Sequence, residues 1–322
     1  MPLPTTPQKP NGVQPGGGIC MAIELAWARL RKALTRTLFP GYVADMQAKR
    51  QGDCPNCTHD ILDARDLKYT RNVCGYWFKP EDDAHAYRNR LGFARHGFAE
   101  MTLFTLFFLA LGIPCAYAVW EVHWLFVIPL IALALLELEI ITFFRDPERV
   151  IPADPDALVS PADGTVTNVE EVDEPEMGKA LRISIFLSVF NVHVNRCPFA
   201  GDVTDVRYFP GEYLDARNAE SAVRNEQLWI DMIDPATQMP IRVKQLSGAI
   251  ARRIVCWLKP GEKLVKGERI GMIKLGSRTD ILIPVGRARE ICVKVGDTVQ
   301  GGATVLLRLH VDGAGDRRGT DL

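Results

Sequence analysis

Four places in this sequence hold residues able to do chemistry. Ser277 follows Gly276 in GMIKLGSRTD, residues 271–280. A serine hydroxyl is a weak nucleophile and needs a base to activate it. His193 lies in FLSVFNVHVNRCP, residues 186–198, among apolar neighbours where a histidine serves equally as a satisfied core residue. Asp163 sits in SPADG, residues 160–164, and Asp-Gly is also an ordinary turn pair. Arg196 and Arg278, close in sequence to these groups, suit bidentate binding of a carboxylate or phosphate, or a plain salt bridge. Last, Cys54 and Cys57 form a CxxC pair followed by Cys74. Two CxxC pairs at such spacing make a zinc ribbon, but here Trp77 stands in the fourth position. With only His59 or His85 to substitute, no bound metal is expected, and a degenerate knuckle is the preferred reading.

The elements that must position these groups are strands. From residue 145 the texture is short β-branched runs (GTVTNVEEV, ALRISIFLSVF, IRVKQL, DILIPV, TVLLRL) broken by Gly, Pro and Asp. Their alternation predicts a mostly β domain within an α+β chain. Inside it, KPGEKLVKG (259–267) and KVGDTVQGG (294–302) repeat one spacing of glycine, acidic residue, aliphatic residue and glycine. The pair is similar to the hammerhead units of biotinyl and lipoyl carriers, with a tight Gly-acid turn between strands. No Met-Lys-Met acceptor is present, so the repeat reads as architecture.

Residues 101–120 carry no charge and are about long enough to cross a bilayer. A short break precedes a second apolar segment, 124–136, followed by Glu137, Glu139 and residues 140–144. Pro114 and Pro129 are both able to kink a helix, so the pair either spans the membrane or re-enters one leaflet. Arg88, Arg90 and Arg95 precede it, and Arg145 and Arg149 follow. By the positive-inside rule both ends face the cytoplasm, which predicts an inner-membrane protein with its β domain on the cytoplasmic side. Residues 19–38 predict a basic amphipathic helix, lying on a membrane surface or packed on its own protein. Residues 1–18 are rich in Pro and Gly and read as a disordered leader. A net charge of −1 gives no field favouring nucleic acid. The eight cysteines are irregularly placed, which suits a reducing compartment. The expected organisation is a leader (1–18), a helix with the cysteine-bearing segment (19–98), a membrane hairpin (99–144), the β domain (145–310) and a tail (311–322).

Ordered motifs make a more specific statement. FFRDPER (143–149), SPADG, FLSVFNVHVNRCP, RNAESAVRNE (217–226) and GMIKLGSRTD stand in series after an apolar hairpin. Together they resemble phosphatidylserine decarboxylase, in the shorter bacterial form that ends Gly-Ser-Arg. The resemblance runs from about residue 143 to 309. Separately, the cysteine-bearing segment resembles the zinc ribbon of the acetyl-CoA carboxylase carboxyltransferase β subunit, without its fourth thiolate.

The decarboxylase resemblance implies a proenzyme that cuts itself between Gly276 and Ser277. Decarboxylating an amine needs an electron sink, and no lysine stands in a motif that would argue for a pyridoxal site. The resemblance implies that a pyruvoyl group made from Ser277 is that sink. It also implies His193 as the base and Asp163 as the group that orients it, a Ser–His–Asp set defined by role. The implied partners are phosphatidylserine in the membrane and the protein's own two fragments held as a heterodimer. Two rivals remain open: a pyruvoyl enzyme for a soluble amino acid, which would have no use for the hairpin, and an inactive membrane homologue, which would stay uncut.

Overall fold

The computed structural model describes residues 18–52, 61, 76–218, 220–249, 253–274 and 276–310. Two helices come first, α1 (Gly18–Leu38) and α2 (Pro40–Lys49). Leu30 and Leu34 on α1 are each half exposed. A minimal ladder, β1 (Gln51–Gly52) against β2 (Tyr76–Trp77), brackets the cysteine-bearing stretch. Cys54, Cys57 and Cys74 lie outside the described residues, as does His59.

The hairpin is α3 (Phe98–Glu121) and α4 (Val127–Phe143). Their 24 and 17 residues extend about 36 and about 26 Å at ~1.5 Å per residue, against a hydrocarbon layer of about 30 Å. No residue of either helix is buried before Phe143, and Trp120 is 89% exposed. Two helices this apolar and this exposed have the length and composition to cross a membrane. Pro114 falls inside α3; Pro129 sits in the first turn of α4, where its missing N–H leaves no helical bond unmade. Thr105 donates across the pair to Glu137. At the root the two strands of chain close on each other. Ala94 N donates to the Phe144 carbonyl and Asp146 N to that of Gly92, each at 2.7 Å.

The β domain follows as β3 (Ala157–Val159), β4 (Gly164–Glu174), β5 (Gly178–Leu187), β6 (Val194–Arg196), β7 (Gly201–Phe209), the short helix α5 (Ser221–Arg224), β8 (Gln227–Ile233), β9 (Pro240–Leu246), β10 (Arg253–Cys256), β11 (Lys263–Leu264), β12 (Arg269–Lys274), β13 (Ser277–Pro284), β14 (Ala288–Ile291), β15 (Thr298–Val299) and β16 (Val305–Leu309). An eight-stranded sheet runs β11-β7-β8-β9-β13-β5-β4-β15, and three-stranded sheets run β10-β12-β6 and β14-β16-β3. Ile254, Ile273, Leu158 and Leu306 from the small sheets share one core with Ile185, Ile230 and Val243 of the large one. The mostly β fold expected from strand texture is what forms, with the apolar hairpin in front of it.

The repeat closes both edges of the large sheet. β11 pairs with the start of β7 and β15 with the start of β4. Gly261 N donates to Val203 O and Gly296 N to Val166 O, both at 2.8 Å. Gly261, Gly267, Gly296 and Gly302 all have φ between +78° and +96°, where a side chain is strained. That requirement is why the glycine spacing was visible in the sequence. β13 is central, with β5 on one side and β9 on the other.

Candidate active site

Ser277 opens β13, directly after the turn in which Gly276 takes φ +60°. The serine is fully buried and its Oγ has no hydrogen-bond partner. His193 ends the connection from β5 to β6. It too is fully buried, and its Nε2 has no partner. The two segments adjoin, since Ile273 N on β12 donates to the His193 carbonyl at 3.3 Å. Two residues beyond each, Asn195 Nδ2 donates to Thr279 Oγ1 at 3.2 Å. Buried polar groups are nearly always paired, and each orphan costs roughly 1–3 kcal/mol, so two in adjoining segments need an explanation.

The imidazole is held by its other nitrogen. His193 Nδ1 donates to the Asn191 carbonyl at 2.9 Å, which puts the proton on Nδ1 and the lone pair on Nε2. Burial pushes its pKa down to about 4, with the nearby Arg145 charge acting in the same direction. At neutral pH His193 is an uncharged acceptor. The Phe143 ring, at the end of α4, lies over it with centroids 4.2 Å apart.

Asp163 is hydrogen-bonded elsewhere. Its carboxylate takes Arg149 at 2.7 Å and the Gly301 amide at 2.8 Å. Burial raises its pKa against the pull of those two partners. No hydrogen bond joins Asp163 to His193 among the described residues: His193 Nδ1 takes the Asn191 carbonyl, and Asp163 takes the segment leaving the hairpin and the second repeat. Its turn still reaches the site: the Pro161 carbonyl accepts from Arg196 N at 2.8 Å and from Asn195 Nδ2 at 3.4 Å. Arg196 and Arg278 are salt-bridge partners, of Asp146 at 2.7 Å and Asp280 at 2.6 Å.

Three further residues complete the site. Gln245 on β9 is opposite Thr279 in register, donates to Asn195 Oδ1 at 2.7 Å, and leaves its own buried Oε1 unpaired. Gly248 lies against the Gly276 carbonyl, where a methyl group would sit 2.1 Å from the oxygen. Lys274, just ahead of the Gly276 turn, is paired with Glu100 in the first turn of α3. An open cleft of about 420 Å³ at the hairpin root is lined by His96, Arg149, Arg196 and Trp257, but by neither Ser277 nor His193.

The phosphatidylserine decarboxylase family profile matches residues 137–307. A phosphatidylserine decarboxylase proenzyme of Rhodopirellula baltica is 43% identical over 243 residues, covering 75% of this chain and 98% of the relative. The proenzyme of Desulfotalea psychrophila is 46% identical over 166 residues, 51% of this chain and 76% of its own length. That of Pelobacter propionicus is 43% identical over 214 residues, 66% and 92% respectively. The chain belongs to the phosphatidylserine decarboxylase family. The profile begins inside α4, so it takes in the Phe143 that covers His193 as well as the Ser277 turn.

Proposed function

We propose that this chain is a self-processing phosphatidylserine decarboxylase that cuts itself between Gly276 and Ser277 and carries its pyruvoyl group on residue 277. One observation carries the reading to this chain: Ser277 Oγ and His193 Nε2 are both buried and unpaired in adjoining segments. A buried hydroxyl without an acceptor, in a segment adjoining that of a buried neutral imidazole without a donor, supplies the two groups that a proton transfer needs.

In the proposed cut, His193 Nε2 takes the Ser277 hydroxyl proton while Oγ attacks the Gly276 carbonyl carbon. The amide C–N bond breaks, its nitrogen becomes the Ser277 amine, and an ester joins the two residues. Loss of the Ser277 Cα proton then breaks the Cβ–O bond and frees a Gly276 carboxylate. Water displaces ammonia from residue 277 and supplies the ketone oxygen. Gly276 gives the strained turn, and Gly248 leaves room for its carbonyl. Asp163 acts as a positioning residue, holding the turn whose Pro161 carbonyl supports Asn195.

The pyruvoyl group, once made, supplies the electron sink for loss of the lipid's carboxylate. The protein's part is then to hold the headgroup and to return a proton to the carbon, a task for His193. Because Ser277 and His193 are sealed in the uncut chain, cleavage needs no substrate, and release of the Gly276 end opens the way in. The hairpin keeps the site at the bilayer, where the acyl chains remain while the headgroup enters. Arginines flanking its root favour the cytoplasmic face of the inner membrane.

Mass spectrometry and a denaturing gel test this directly. The purified protein should be two chains, the smaller beginning with a blocked residue at 277. Ser277→Ala should give one uncut chain with no decarboxylase activity, and normal cutting of that variant refutes the reading.

A further inference from the structure

The connection that delivers His193 to the site begins with a tight turn. Asn191 N donates to the Ser188 carbonyl at 3.0 Å, placing Val189 and Phe190 at the tip. The Asn191 side chain fixes the turn by accepting from Ser188 N at 2.8 Å and Ser188 Oγ at 2.7 Å. At its tip Phe190 is 69% exposed, in a domain whose other phenylalanines are half-buried or buried.

A lone exposed phenylalanine means little. This one is fastened to the hairpin. Arg145, the second residue after α4, donates to the Phe190 carbonyl at 2.6 Å and to the Thr142 carbonyl at 2.7 Å. One guanidinium thus joins the last turn of the apolar helix to the tip of the 188–191 turn. The tip therefore stands at the level where the hairpin leaves the bilayer. An aromatic ring at that level is best accommodated among headgroups and the first acyl carbons.

We propose that the 188–191 turn is a second bilayer contact, inserting Phe190 into the interface of a phospholipid membrane beside the hairpin root. The proposal rests on the reading that the hairpin lies in lipid and that the site acts on a membrane substrate. It adds a specific consequence. The Asn191 carbonyl that receives His193 Nδ1 belongs to the same turn, so docking of the tip steadies the histidine at the moment a headgroup is in reach.

The test uses the full-length protein and the variants Phe190→Ser and Phe190→Trp. Decarboxylation is measured on vesicles of phosphatidylserine and phosphatidylcholine, and on phosphatidylserine dispersed in detergent micelles. The ratio of kcat/KM on vesicles to that on micelles cancels any effect on the site itself. Phe190→Ser should lower this ratio about tenfold, the scale of one aromatic ring denied apolar burial, and Phe190→Trp should restore it. In vesicles with brominated acyl chains, Phe190→Trp should show a quenched component that the parent protein lacks. An unchanged ratio in Phe190→Ser, or no added quenching in Phe190→Trp, overturns the proposal. A parent protein that stays uncut and acts on neither substrate instead refutes the decarboxylase reading, and the quenching still decides whether the tip meets lipid.

Discussion

Two buried polar clusters occupy the same large sheet, and they differ in how completely their atoms are paired. Around Trp229, Arg242 donates to Asp231, Glu174 and Glu176, Lys244 to Glu174, and Arg207 to Glu176 and Asp231. The three cations lie over the Trp229 ring, Lys244 Nζ at 3.9 Å from its centroid. Of these charged groups only Arg207 Nε lacks a hydrogen bond, and it still lies 3.6 Å from the Asp205 carboxylate. Around Ser277, by contrast, Ser277 Oγ, His193 Nε2 and Gln245 Oε1 are all unpaired. A satisfied network holds a sheet together; one with orphaned atoms stores a reaction. The two should therefore fail in opposite ways.

The largest effect belongs to Ser277→Ala, which abolishes cutting while the melting temperature stays level or rises, because an unpaired buried hydroxyl is removed. His193→Ala should slow cutting by roughly 10²- to 10⁴-fold, the usual weight of a general base, with the fold retained. Gly248→Ala should also leave mostly uncut chain, since its methyl group displaces the Gly276 carbonyl; normal cutting would show that this close approach is incidental. In the Trp229 cluster the consequence reverses. Arg242→Ala should lower stability by about 3–5 kcal/mol in denaturant titration, as expected when one partner of a buried pair is removed. The fraction that folds should still cut at the normal rate. Asp163→Ala should slow cutting only several-fold, because the Asp163 carboxylate is hydrogen-bonded to Arg149 and Gly301 and not to Ser277 or His193.

Acidity sharpens the same contrast. With His193 held near pKa 4, the cutting rate should be level from about pH 8 to 5 and fall as pH drops through 4. Stability has its own signature. The unfolded chain protonates this histidine below its ordinary 6.5, but the folded chain does so only near 4. Between those values the unfolded state binds more protons, so stability declines as pH falls, and His193→Phe should flatten that slope.

What was legible in the sequence follows from range. The hairpin was visible because an uncharged stretch of that length is a local property. The sheet-edge repeat was visible because left-handed turns demand glycine at fixed spacing. Ser277 and His193 stood out through their ordered motifs. The chain from Gln245 through Asn195 to Thr279 was not legible, since Asn195 and Thr279 meet across 84 positions of sequence. A trace was present: His193 and Asn195 alternate with Val192 and Val194, and Gln245 takes the place after Ile241 and Val243 in the alternation of β9, marking polar residues on strands otherwise built for a core. The hydrogen-bond partners of Asp163 were not legible for the same reason. Its true partners, Arg149 and Gly301, depend on where the hairpin exit and the second repeat come to rest.

The central position of β13 changes the order of the folding reaction. Before cutting, β13 is inserted between β5 and β9 by a chain folding on itself, a first-order process indifferent to dilution. After the cut proposed above, the same strand belongs to a separate small chain with β14, β15 and β16. Its partner strands then belong to another molecule. Unfolded mature protein must recover by second-order association, slower at every dilution, while unfolded Ser277→Ala recovers at a rate independent of concentration. Maturation therefore works as a ratchet: one uninterrupted chain carries out the assembly, and the cut removes the covalent tether that made it easy to repeat.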